Sequence, residues 1–117
     1  MTLDTWKALL DRVTAIAGVR GALLVSVDDG LVVAETAMDS IDTADVAALA
    51  ASLVVRAMQF AGTATHAPPR ALRLTAEQGT LMAFAADEPL WLVAVADPSA
   101  ELGRLRLLLG DLAATIN

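Results

Sequence analysis

Between Asp42 and Gly62 the sequence DTADVAALAASLVVRAMQFAG spaces its polar residues Asp45, Ser52, Arg56 and Gln59 at intervals of seven, four and three. At 3.6 residues per turn these positions fall on one narrow stripe, so the spacing predicts a helix. The rest of its surface is apolar. Val46, Leu49, Leu53, Ala57 and Phe60 flank the stripe, while Ala47, Ala51, Val54 and Met58 make a second face roughly opposite it. One apolar face suffices to pack a helix on its own domain. The other calls for a further partner, most economically a second copy of the chain.

The flanking segments read as follows. Leu3, Trp6, Leu10, Val13 and Ile16 step at three and four, predicting an N-terminal amphipathic helix with Thr2 as its cap and Gly18 just past its end. Val19 to Val33 holds two β-branched runs around Asp28-Asp29-Gly30, a hairpin signal. In the first run Ala22, Leu24 and Ser26 alternate with Leu23, Val25 and Val27, so both faces are largely apolar and both require cover. Asp39, Ser40 and Asp42 supply caps for the central helix, which is expected to end at Gly62 before the Pro68-Pro69 pair.

Three more strands follow: Arg70 to Thr75, Leu81 to Ala86, and the doubly apolar LWLVAVA from Leu90 to Ala96. Asp97-Pro98 reads as a cap before a Pro at the first helical position, and Leu102, Leu105, Leu109, Leu112 and Ile116 form the stripe of a last helix. Gly103 is expected to let that helix approach the sheet. The order is α-β-β-α-β-β-β-α. Short strand links make the five-stranded sheet mainly antiparallel, and its two apolar faces require an α/β/α sandwich of the α/β (α+β) class. The central helix lies on one face and the two terminal helices on the other.

Length adds that the 117 residues form one domain, 1–117, able to bury roughly two thirds of its unfolded surface. Net charge is −6 with a single Lys, and the few aromatics (Trp6, Phe60, Phe84, Trp91) do not interleave with an Arg cluster, which argues against nucleic acid. The absence of Cys agrees with a reducing compartment, and the start, with Asp4 and Asp11, resembles no signal or transit peptide, so a cytoplasmic location is expected. A bilayer needs about twenty apolar residues. The uncharged run between Asp45 and Arg56 is ten, so no membrane span is expected.

Three pieces resemble the roadblock/dynein light-chain family: GVRGALLVSVDDGLVVAE from Gly18 to Glu35, DVAALAASLV from Asp45 to Val54, and VADPSAELGRLRLLL from Val95 to Leu109. The resemblance spans nearly the whole chain and implies a roadblock/profilin-like sandwich. It further implies a homodimer, with the strand after the central helix paired to its copy and the two central helices side by side. The implied interface is Leu49, Leu53 and Phe60 with Arg70, Leu72, Arg73 and Leu74. Such joined surfaces dock small Ras-like GTPases or signalling subunits, which gives Asp45, Ser52, Arg56 and Gln59 the role of partner-binding residues. Relatives that activate a GTPase carry more chain beyond the last helix, so the resemblance carries docking further than activation.

Candidate chemistry changes this picture little. Arg56 has the charge to stabilise a transferring phosphoryl group, but an Arg on an exposed helical stripe is more often solvated or ion-paired, here with Asp45 or Ser52 of a neighbouring copy. Asp28 and Asp29 suit a turn, with side chains expected to point apart. His66 lacks a second ligand or a Ser at a recognisable spacing and reads as a loop residue; GVRG lacks the Lys and helix of a phosphate loop. No cofactor site and no enzyme follow. The alternative reading is a ligand-sensing sheet domain with a small apolar pocket near Trp91.

Overall fold

Asp42 takes an extended backbone conformation, and its carboxylate accepts a hydrogen bond from the Asp45 amide at 3.0 Å, starting the helix α2 over Thr43–Ala64. The computed structural model describes residues 2–38 and 40–116, with the side chain of Ile116 excepted. Asp39 and the Ile116 side chain, both assigned roles above, therefore lie outside the described residues. Helix α2 runs two residues past Gly62. It closes where the Thr65 and His66 amides both donate to the Ala61 carbonyl, His66 adopting a left-handed φ of 59°. Gly62 is compatible with helix and has nothing to pack against; the stop comes from His66 and the prolines that follow.

The remaining elements are α1 (Leu3–Thr14), β1 (Val19–Ser26), β2 (Leu31–Ala37), β3 (Ala71–Ala76), β4 (Gly79–Ala85), β5 (Leu90–Ala96) and α3 (Leu102–Ile116). The strands lie in the order β2-β1-β5-β4-β3, each antiparallel to its neighbours. Thr2 caps α1 by accepting from the Thr5 amide. Gly30, at φ 72°, closes the β1–β2 hairpin by donating to the Ser26 carbonyl at 2.8 Å. Asp97 differs from its expected role. It accepts from the amide and hydroxyl of Ser99 and so shapes a turn, and α3 begins only at Leu102.

Two cores sandwich the sheet. On one face Leu10 and Val13 of α1 meet Leu105, Leu109 and Leu112 of α3 over Ala22, Leu24, Met82, Leu92 and Ala94. On the other, Ala47, Ala50, Ala51 and Val54 of α2 meet Leu23, Val25, Val27, Trp91 and Val93. The alternation read from the first strand thus sorts the helices as expected. Gly103 does not. A Cβ there would meet nothing within 4 Å, whereas at Gly110 it would lie 3.7 Å from the Phe84 ring, so Gly110 is the glycine that faces the sheet.

The two sheet edges are built differently. In β2 the register slips between Leu24↔Ala34 and Val25↔Val32, leaving Val33 as an extra residue. That bulge turns Val32 to the α2 side, beside the core there, and bends the edge. Edge strand β3 pairs with β4 in unbroken register from Ala71↔Phe84 to Ala76↔Gly79.

By length and composition α2 is long and apolar enough to cross a bilayer, contrary to the limit inferred from the run between Asp45 and Arg56. Here it lies on β1 and β2, with Ala47, Ala50, Ala51 and Val54 sealed against the sheet. Those four residues are its buried ones, and the turns after Val54 extend beyond the sheet.

Candidate functional site

Because α2 seals its small residues inward, the expected polar stripe stands opposite the sheet: Asp45, Ser52, Arg56 and Gln59 are all exposed. Beside it, Leu49 is 64% and Phe60 73% exposed, with Leu53 half-buried between them. Met58, placed above on the face opposite the stripe with Ala47, Ala51 and Val54, is 39% exposed, because it follows the last buried residue, Val54, by a full turn and lies where the sheet no longer covers the helix. Large apolar groups on one flank thus face water.

That flank continues onto the sheet. Helix α2 packs on β1 and β2, and its cover thins toward β4 and β3. There Leu72 and Leu81 are half-buried against the α2-side core, and Leu74, register partner of Leu81, is 50% exposed. Arg70 precedes β3, and Arg73 points to the opposite sheet face, where its Nε donates to Thr75 Oγ1 at 3.2 Å. The expected interface residues therefore divide. Leu49, Leu53, Phe60, Leu72 and Leu74 share one side of the molecule, whereas Arg70 and Arg73 belong to the β3 edge and its other face.

The stripe also borders a cleft of about 530 Å³ between α2 and the β1–β2 turn, lined by Asp28, Asp29, Ser52, Arg56 and Gln59 over Val27, Ala51 and Val55. Sequence reasoning missed this meeting, since turn and helix are far apart in the chain. Asp29 performs the expected turn role, accepting from the Leu31 amide at 3.2 Å, and both aspartates are among the residues that line the cleft. Arg56 makes no intramolecular ion pair: among the described residues the one ion pair is Arg104–Glu101 at 3.7 Å. Trp91 is buried in the α2-side core among Val25, Val27 and Val93.

A family model described as the Roadblock/LC7 domain matches residues 5–96, which include α2, β3 and every site residue named above. The chain belongs to the Roadblock/LC7 domain family. Among solved structures it is similar to "MglB with tetrameric arrangement", at 24% identity, TM-score 0.88, and coverage of 97% of this chain and 86% of that one. It is also similar to Myxococcus xanthus MglB (21% identity, TM-score 0.86, 97% and 92% covered). A Roadblock/LC7 domain from Streptomyces avermitilis follows at 21% identity and TM-score 0.81, with 93% and 92% covered. No curated protein sequence matches. At these identities the structures show a shared fold. The Roadblock/LC7 match covers the sheet and the α2 surface, while α3 lies beyond the matched residues.

Proposed function

We propose that this Roadblock/LC7 chain is a single-domain, non-catalytic module that pairs with a second copy through β3 and α2 and presents the joined surface to a small Ras-like GTPase. The observation that carries the pairing is the meeting of two unfinished features. The regular edge of β3 adjoins a strip of the α2-side sheet face, at Leu72, Leu74 and Leu81, that is incompletely covered, and Leu49 and Phe60 stand exposed on α2 itself. An unbulged edge strand offers backbone donors and acceptors to another strand. Both parts contribute on the scale that association requires. Complete burial of a large apolar side chain contributes roughly 1.5–3 kcal/mol, while association costs about 4–15 kcal/mol. The three partly exposed side chains of each copy, six in the pair, offset part of that range, and strand pairing adds about 0.5–1.5 kcal/mol per hydrogen bond.

The GTPase as partner rests on the resemblance to roadblock/dynein light-chain proteins, and a module of this kind requires no cofactor. A cytoplasmic setting agrees with the lack of cysteine. In the paired molecule, Asp45, Ser52, Arg56 and Gln59 line the outer surface of the helix pair, where a partner reads them. The test is a pull-down with small GTPases loaded with GDP or a GTP analogue. Leu53→Arg and Arg56→Glu should each abolish capture; full capture by folded, dimeric variants would reject the site. Arg56→Ala separates docking from catalysis: hydrolysis stimulated as well as by wild type would remove any phosphoryl-stabilising role for this arginine.

A further inference from the structure

The sheet face opposite α2 carries a second unfinished surface. Helix α3 covers the β4–β5 part of that face and stops short of β3, leaving a trough between helix and edge strand. It consists of two adjoining hollows of about 400 and 190 Å³ that share Ala71 and the Phe84 ring as their floor. Met82 extends the floor at one end, and Gly110, Ala113 and Ala114 make a low helical wall at the other. The charge is one-sided. Arg73 and Arg106 stand at one hollow and Arg70 at the other, all exposed, with no carboxylate among the described lining residues. Three of the chain's eight cationic side chains thus converge here although the whole chain carries −6.

The geometry points to this trough as the docking site for an acidic amphipathic segment of a partner protein, one that seats an apolar side chain on Phe84 and sets its carboxylates against Arg70, Arg73 and Arg106. Charge complementarity selects the occupant. Guanidinium forks match carboxylates bidentately, and the apolar floor calls for a side chain that a bare polyanion lacks. The trough is short, bounded by one strand and two turns of helix, which suits a peptide rather than a long phosphate backbone or a lipid surface. A membrane or nucleic acid would also approach a chain of strong net negative charge. The site does not depend on the pairing proposed above. If β3 does pair with its copy, two troughs share one face of a continuous sheet, opposite the paired α2 helices.

The test is selection of a random displayed-peptide library on the immobilised wild-type chain, followed by fluorescence anisotropy with the enriched peptides. Enriched sequences should combine Asp or Glu with Leu, Phe or Trp, and affinity should fall severalfold from low to physiological salt. Arg73→Glu and Arg106→Glu should each weaken binding about tenfold or more, whereas Arg104→Glu, outside the trough, should leave it unchanged. Gly110→Met tests the floor without touching a charge: it narrows the trough beside Phe84 and should also weaken binding. All four positions are surface or half-buried, and circular dichroism checks that each variant folds. Enrichment of neutral or basic peptides, or acidic peptides indifferent to Arg73→Glu, Arg106→Glu and Gly110→Met, would overturn the assignment. So would tighter, Arg73-dependent binding of phosphatidylserine vesicles or a single-stranded oligonucleotide, which would reassign the trough to those ligands.

Discussion

The two faces of the sheet solve the same packing problem with different side chains. Beneath α1 and α3 the core is made of large residues, with Leu10, Leu24, Leu92, Leu105 and Leu109 almost wholly excluded from water. Beneath α2 the helix contributes three alanines and one valine, and its large residues Leu49 and Phe60 point elsewhere. Small residues let α2 lie close to the sheet, but they reach only the strands directly below. One face is filled by bulky residues of two helices apart from the trough beside β3; the other is filled by small residues of one helix whose large apolar side chains stay exposed. A helix whose bulky residues face away from its own core is built to meet something besides that core.

Removing bulk from the face beneath α1 and α3 should have the largest effect. Leu109→Ala empties a fully buried site between α3 and the sheet and is expected to cost about 2–5 kcal/mol, read as a lower urea midpoint with unchanged slope. On the α2 face the corresponding test adds bulk. Ala50→Leu forces a larger side chain into the contact between α2 and the sheet, at about 1–3 kcal/mol. If it instead cost nothing, α2 would be more loosely seated than the burial of Ala50 implies, and the contrast between faces would weaken.

A smaller effect is expected at the start of α2. Asp42→Ala removes the acceptor for the Asp45 amide and should cost about 1 kcal/mol, measured by urea unfolding. The cap belongs to the helix itself, so its loss should lower stability without shifting the relative cost of Leu109→Ala and Ala50→Leu.

Much of this architecture was legible because it follows from local rules. Period-two alternation in β1 assigns Leu23, Val25 and Val27 to one helix layer and Ala22 and Leu24 to the other, and Asp42, Gly30 and Thr2 act where caps and turns require them. What stayed hidden depends on tertiary placement. No local signal marks Val33 as the bulged residue, since Leu31, Val32 and Val33 are interchangeable as strand formers. Gly103 and Gly110 look alike in sequence, and only the rotation of α3 decides which one faces Phe84. The candidate site divides in the same way. The polar stripe of α2 was readable from spacing, whereas its cleft with Asp28 and Asp29, and the meeting of Arg73 with Arg106, join residues that no periodicity connects. Asp97 shows a local rule applied one step too far: an Asp-Pro pair fits a helix start, yet Ser99 satisfies the carboxylate first and the helix waits until Leu102.

The smallest expected change in intrinsic stability is the most informative about the α2 face. Leu49 and Leu74 are 64% and 50% exposed, so Leu49→Asp with Leu74→Lys removes little buried area within one chain. Surface changes of this kind usually stay within about 0.5 kcal/mol. The consequence should instead appear with concentration. If wild type pairs through this surface, its thermal midpoint rises as the protein is concentrated, because association stabilises the folded form by mass action. The double variant should unfold at one temperature across the same range and sediment as a monomer, with far-ultraviolet circular dichroism unchanged. Should wild type itself show a flat midpoint and sediment as a monomer, α2's outward leucine and phenylalanine would have to be covered by a different partner, and the unbroken edge of β3 would lose its proposed role.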